Sequence, residues 1–227
     1  MGLNKLEKFK QLEIMPNVFQ NFDFHQPKTR NYKGEFPDLR GHWASEVFDN
    51  NDPLVLELAC GRGEYSVGLA QMEKNKNFIG VDLKGNRIWT GARRALDNNI
   101  TNIAFLRTKI ELIQHFFAPN EVSEIWITFA DPFVNHTDAN RRLTSPHFLE
   151  RYRAICQPGA VIHLKTDSSL LYNYTLKVVE EQGLAILESD DNIYRNGDRT
   201  GPLSIKTYYE KMHLAEGKTI KYLEFRL

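Results

Sequence analysis

From Pro53 onward the chain alternates short apolar runs with amphipathic stretches, and this alternation restricts the fold more than any other feature. Leu54-Val55-Leu56-Glu57-Leu58 is a compact apolar run that ends in a glycine turn, the pattern of a buried strand. Residues 64–72 follow with helical spacing, then Asn77-Phe78-Ile79-Gly80-Val81-Asp82 as a second strand and 84–98 as a second helix. Ile103-Ala104-Phe105-Leu106, Glu124-Ile125-Trp126-Ile127-Thr128-Phe129 and Ala160-Val161-Ile162-His163-Leu164-Lys165 continue the series. Helical stretches at 110–116, 146–155 and 168–182 lie after them, and strand-like runs at 184–188 and 219–226 close the chain. Strand–helix alternation of this kind predicts an α/β, doubly wound, mostly parallel sheet with helices on both faces. Seven strands are expected.

Residues 1–52 read differently. They are poor in β-branched residues and carry turn formers at Pro16, Pro27, Gly34, Pro37 and Gly41. The expectation is an N-terminal extension, with a short helix at 4–12, packed on a core domain spanning 53–227. Its aromatics, among them Phe19, Phe22, Phe24, Phe36 and Trp43, either bury against that core or cover a ligand. No stretch approaches the roughly eighteen consecutive apolar residues a bilayer helix requires. The N-terminus lacks the apolar core of a signal peptide. Cys60 and Cys156 have no paired spacing, and the seven histidines are scattered, so neither a disulfide framework nor a metal site is expected. The simplest compartment is a reducing cytoplasm.

The turn Glu57-Leu58-Ala59-Cys60-Gly61-Arg62-Gly63 joins the first core strand to its helix. Small residues at 59, 61 and 63 let a ligand approach the backbone, and the helix start offers unpaired N–H groups. Asp82 ends the second strand about twenty residues on, where an acid meets ribose hydroxyls in nucleotide-binding α/β folds. A dinucleotide site would want a third glycine where Glu64-Tyr65-Ser66 stands, and Glu57 would repel a pyrophosphate. A cationic nucleoside suits these residues better. S-adenosylmethionine is the favoured cofactor, with Glu57 holding its amino-acid end directly or through water, or else merely capping local N–H groups.

The fourth core strand ends in Ala130-Asp131-Pro132-Phe133. Proline biases Asp131 to an extended conformation, so the carboxylate has a set direction at the ligand-binding edge. Arg141 and Arg142 follow as a phosphate-binding pair or a solvated one. Lys165-Thr166-Asp167 ends the fifth strand at the same edge, and Thr207-Tyr208-Tyr209-Glu210 lies between the last two. One hydroxyl and two carboxylates there are suited to reading a base with ring N–H and amino donors.

In order and spacing these pieces resemble the bacterial tRNA (guanine-N7-)-methyltransferase family, over roughly residues 50–227. The carriers are Glu57–Gly63, Phe78–Asp82, Thr128–Pro132, Arg141-Arg142-Leu143-Thr144, Lys165-Thr166-Asp167 and Thr207–Glu210. The resemblance implies a class I, Rossmann-like methyltransferase fold whose last strand is antiparallel. It implies methyl transfer from S-adenosylmethionine to N7 of the guanine at position 46 of tRNA, by a monomer or homodimer. The expected cofactor residues are Glu57, Ala59, Gly61, Gly63, Asp82, Arg107 and Thr108. Asp131 is the expected catalytic residue, and Asp167, Thr207, Glu210, Arg141 and Arg142 are the expected substrate contacts. The chain departs from the family's pattern at Ala59, where glycine is usual, and at Ala130, where proline is usual. It departs again over residues 133–137, where the family's lysines are absent. The competing readings are a related methyltransferase acting on another RNA or a small molecule, and a binding protein that keeps the fold without turnover.

Charge fits this reading once its distribution is considered. Lys+Arg and Asp+Glu both number 29. Yet 83–96 contains Lys84, Arg87, Arg93 and Arg94 and no acid, and Lys28, Arg30 and Lys33 load the N-terminal segment. Local patches suffice for phosphate contacts, although overall neutrality predicts a shallow salt dependence.

Overall fold

The computed structural model describes residues 3–227. Its regular elements begin with α1 (Lys5–Leu12), β1 (Val18–Gln20), α2 (Trp43–Val47), β2 (Leu54–Leu58), α3 (Glu64–Met72), β3 (Asn77–Asp82), α4 (Gly85–Asp97) and β4 (Ile103–Arg107). They continue with β5 (Val122–Thr128), α5 (Pro146–Arg153), β6 (Cys156–Thr166), α6 (Ser169–Glu181), β7 (Ile186–Asp190), α7 (Tyr208–Ala215) and β8 (Lys221–Arg226). The strands form one sheet in the order β1-β4-β3-β2-β5-β6-β8-β7. Strands β1 to β6 pair in parallel with their neighbours, while β8 runs antiparallel to both β6 and β7.

Strand periodicity divides the core in two. Leu54, Leu56 and Leu58 point to one face, where they join Trp43, Phe117, Leu149 and Val179. Val55 points to the other face, with Tyr65, Ile88 and Phe105. Both layers are needed because a parallel sheet has no face to leave in water. Glu57 shares the second face with Val55, so its carboxylate is carried into the layer covered by α3.

Besides the short helix α2, two elements lie outside the expected pattern. Val18-Phe19-Gln20 pairs with Phe105-Leu106-Arg107 and adds an eighth, edge strand to the seven expected. Three residues are too few for an alternation to show. Trp43 is fully buried between Phe19 and Phe117, and its Nε1 donates to the Phe116 carbonyl at 2.8 Å. The residues before Pro53 are therefore pinned to the sheet by ladder bonds and an aromatic anchor. The second addition is α7, which occupies the link between β7 and β8. Thr207 caps it, accepting from the Glu210 amide at 3.1 Å.

The parallel strands β2, β3, β4 and β5 end on one edge, at Leu58, Asp82, Arg107 and Thr128. In a doubly wound sheet this edge is where a ligand sits.

Candidate active site

A cavity of about 300 Å³ opens at that edge. Ala59 and Asp82 form one side, Thr108, Lys109 and Ile110 another, and Asp131, Phe133 and Arg141 the rim. Leu83, Leu143 and Phe148 add apolar wall.

Asp82 organises the first side. Its Oδ2 accepts from the Gly61 amide at 2.9 Å and its Oδ1 from the Lys84 amide at 2.7 Å. The carboxylate thereby fixes the glycine turn against the start of α4 and keeps a lone pair on each oxygen for a ligand. Ala59 carries φ +60°, and Gly61 and Gly63 lie at +55° and +65°. At Gly63 a Cβ would stand 2.6 Å from the Phe105 ring, so this glycine lets α3 approach the sheet. Thr108 is buried. Its amide donates to the Asp82 carbonyl at 3.1 Å and its hydroxyl accepts from Asn21 at 3.2 Å.

The rim is strained. Phe129 and Phe133 have φ of +51° and +42°, values that bulky side chains rarely adopt. Among the described residues, the other non-glycine positive φ angles outside the turn formers Asp49, Asn99 and Asn120 reduce to Ala59. Ala59 and Phe133 line the cavity and Phe129 immediately precedes its lining residue Ala130, a clustering seen where a site over-determines its backbone. Asp131 is exposed between the two phenylalanines, and its Oδ1 accepts from the Phe133 amide at 2.9 Å.

Several expected site residues do not reach the cavity. Arg142 is one. It is only 5% exposed, donates to the Pro132 and Phe133 carbonyls at 2.9 and 2.8 Å, and stacks on Tyr174. It clamps the Asp-Pro-Phe turn from a buried position and does not line the cavity, so it is not presented to a phosphate there. Arg141 keeps an exposed guanidinium, held loosely by Asp138 at 3.3 Å and set over the Phe133 ring. Arg107 donates to Gln20 and to the Leu83 carbonyl, away from the cavity.

Glu57 is also turned inward. Its Oε2 accepts from the Ser66 amide at 2.8 Å and from the Ser66 hydroxyl, and its Oε1 from Thr128 Oγ1 at 2.6 Å. The alternative anticipated for it, capping of local N–H groups, is the geometry found. Burial raises its pKa from the ordinary 4.5 to about 7, against the opposing pull of the Ser66 and Thr128 hydrogen bonds.

Thr207 and Glu210 are likewise occupied. Glu210 is fully buried and pairs with Lys165, whose Nζ lies 2.8 Å from Oε1, while Tyr194 donates to the same oxygen. Lys165 spends its remaining donors on the Leu203 and Ile205 carbonyls. Burial pulls the Lys165 pKa down and Glu210 opposes it. Neither group is left free for a base in this geometry, because Thr207 caps α7 and Glu210 ties that helix to Lys165 of β6. Asp167 is partly exposed and faces His213 and Lys218 at 3.6 and 3.7 Å, outside the cavity. Of the cavity's apolar lining, Phe133 is expected from the Asp-Pro-Phe turn. Leu143 belongs to the Arg-Arg-Leu-Thr motif, but Leu83, Ile110 and Phe148 look like any core apolar residue in the sequence.

Among the described residues no group of three His, Cys, Asp or Glu is placed to hold a metal ion, and no helix is long and apolar enough to cross a membrane. A carboxylate at the ribose position, a tight turn beside it and an apolar wall fit a nucleoside-containing sulfonium cofactor.

The fold is that of a class I S-adenosylmethionine-dependent methyltransferase. The 16S rRNA methyltransferase KamB superposes with a TM-score of 0.63 at 13% identity, covering 85% of this chain and 96% of that one. A 16S rRNA (adenine(1408)-N(1))-methyltransferase variant from Catenulisporales acidiphilia, solved with S-adenosylmethionine, gives 0.59 at 13% identity, over 85% and 93%. A family model described as a putative methyltransferase matches residues 51–223. The tRNA (guanine-N(7)-)-methyltransferase of Bacteroides thetaiotaomicron is 48% identical over the whole of this chain and 87% of its own length. That of Christiangramia forsetii is 43% identical over 99% of this chain and 98% of its own. The chain belongs to the tRNA (guanine-N7-)-methyltransferase family.

Proposed function

We propose that the protein transfers a methyl group from S-adenosylmethionine to N7 of a guanine in tRNA, at position 46 as the family resemblance implies. The observation that carries this reading is the placement of Asp131 on the rim of the cavity that Asp82 bounds. Asp82 and Thr108 hold the nucleoside end, and Leu83 and Ile110 supply an apolar wall for the base. The cofactor supplies an electrophilic methyl on a cationic sulfur.

Guanine N7 has an in-plane lone pair and carries no proton at neutral pH, so no general base is needed. What the protein must provide is alignment, which can be worth large effective molarities. It must also stabilise the positive charge that the purine gains. Asp131 does both in this reading. Its Oδ1 is tied to the Phe133 amide, so Oδ2 is the oxygen left for the amino edge of the base. Arg142 fixes that turn by holding the Pro132 and Phe133 carbonyls. Arg141 receives a phosphate.

The same reading places the enzyme in the cytoplasm as a monomer or homodimer, with residues 53–227 as the catalytic unit and 1–52 as its extension. Incubation with tRNA and labelled cofactor, followed by nucleoside analysis, tests it. Label in 7-methylguanosine is expected, and label in another nucleoside or none refutes it. Asp131→Ala should lower kcat by about 10²–10³ with cofactor affinity unchanged. A lost cofactor affinity with normal turnover at saturation would remove Asp131 from this role.

A further inference from the structure

Every exposed phenylalanine or tyrosine among the described residues lies in one of two stretches. Tyr208 and Tyr209 form one, beside the motif already described. Phe22, Phe24, Tyr32 and Phe36 form the other, with Phe22 53% and Phe36 62% exposed. Neither the cofactor cavity nor Asp131 uses this second group.

Four rings left in water on one loop need a reason. Their surroundings suggest one. Lys109 stands 4.2 Å from the Phe24 ring centre, Arg30 and Arg107 stand over Phe22 at 5.6 and 5.7 Å, and Lys33 stands over Tyr32. Of the three acids nearby, Asp38 lies outside the groove that the rings line, and the other two accept from neighbouring amides. Asp23 accepts from the His25 and Gln26 amides, and Glu35 from Asn31. Phe22, Phe24 and Phe36 line an open groove of about 540 Å³.

The loop is also preset. Gln20 and Arg30 exchange two backbone hydrogen bonds of 2.9 Å at its base, and Asn21 Oδ1 accepts from the Asp23 and Lys28 amides within it. It is joined to the cofactor cavity as well. The Asn21 amide donates to the Arg107 carbonyl at 2.9 Å, and its side chain donates to Thr108. Thr108 and Lys109 are cavity wall.

We propose that Phe22 and Phe24, with the cations over them, and the neighbouring Phe36 form a stacking platform for unpaired bases of the RNA substrate beside the target guanine. Aromatic faces interleaved with cations take bases and phosphates together, with little sequence preference. Rings that need no reordering on binding avoid much of the entropic cost. The proposal rests on RNA as the substrate, but it assigns a surface that the methyl-transfer reading does not require.

The test compares wild type with Phe22→Ala/Phe36→Ala, Phe22→Leu/Phe36→Leu and Phe22→Trp/Phe36→Trp, using an unmodified tRNA transcript and labelled cofactor. The alanine and leucine variants should raise Kd and KM for tRNA by about five- to 150-fold per lost stack, leaving kcat, cofactor affinity and melting temperature unchanged. The tryptophan variant should match wild type. Alanine variants with wild-type tRNA affinity overturn the proposal while the methyl-transfer reading stands. So does a leucine variant that binds as well as wild type, since packing alone would then suffice. Binding of wild type to phosphatidylserine vesicles, with tRNA affinity untouched by the alanine changes, assigns the rings to a membrane and overturns it too. A wild-type protein that methylates no tRNA fails earlier, at the substrate reading, and takes this proposal with it.

Discussion

The two sides of the sheet's carboxyl edge treat their motif residues in opposite ways. On the β2–β3–β4 side, Ala59, Asp82 and Thr108 line the cavity, each at the end of its strand. On the β6–α7 side, Lys165, Thr207 and Glu210 are just as close to strand and helix ends, yet all three are buried and bonded to one another or to backbone. Motif membership therefore does not tell whether a polar side chain faces a ligand or the protein. What decides is whether its partners are already supplied. Asp82 holds two amides and keeps lone pairs free, whereas Glu210 has both oxygens in a buried ion pair.

The strongest way to break this contrast is at Lys165. Removing one member of a buried pair strands the other charge, and here it also strands the Leu203 and Ile205 carbonyls. Lys165→Met should cost about 3–5 kcal/mol of stability in urea unfolding. Adding Glu210→Leu should recover a large part of it. A Lys165→Met protein that unfolds like wild type but loses tRNA affinity would show that this side faces substrate after all.

Glu57 offers the next largest effect and a pH signature. Its folded pKa of about 7 stands above the ordinary 4.5, so between those values the folded chain binds a proton that the unfolded chain releases. Its contribution is fully present below about pH 4.5 and is lost as pH rises through 7. The loss is on the order of 3 kcal/mol. Denaturation of wild type against Glu57→Gln at pH 5 and pH 8 isolates it, because other groups titrate alike in both. The variant should gain on wild type as pH rises, and an unchanged difference would mean that Glu57 is charged throughout.

Much of this was legible in the sequence, and the failures share a cause. Strand–helix alternation gave the seven core strands. Asp82 and Asp131, acids expected at the sheet's carboxyl edge, both line the cavity there, whereas Asp167 at the end of β6 pairs with His213 and Lys218 outside it. Strand β1 is too short to carry a period, and Thr207-x-x-Glu210 at the start of α7 has the look of a binding motif. That spacing is also half of a capping box, and the hydroxyl does cap the helix. Spacing fixes where a residue sits along the chain but not which way its side chain turns. So Arg141 and Arg142, adjacent and chemically alike, could not be told apart.

Those two arginines sharpen the comparison within a single turn of chain. Arg142→Ala removes two charge-assisted bonds to buried carbonyls. It should cost about 2–3 kcal/mol in unfolding and lower kcat as the Asp131 turn loosens. Arg141→Ala should leave unfolding alone, weaken tRNA binding, and reduce the slope of log affinity against log salt by about one. Identical behaviour of the two variants would contradict the division of roles.

The smallest effect belongs to Ala59. Its φ of +60° costs an L residue about 1–2 kcal/mol, whereas glycine adopts it freely. Glycine also gives the unfolded chain more freedom, which offsets about 0.5–1 kcal/mol of the relief. Ala59→Gly should therefore stabilise the protein by about 0–1.5 kcal/mol, or a rise of roughly 0–6 °C in Tm for a chain of this size. Cofactor affinity should not fall, because the cavity meets the backbone at this position and a methyl group is all that leaves. A lower Tm would mean that the Ala59 methyl packs more favourably than the strain it carries. The turn on the cofactor side would then be held by contact, as the buried side is, and the contrast between the two sides would narrow.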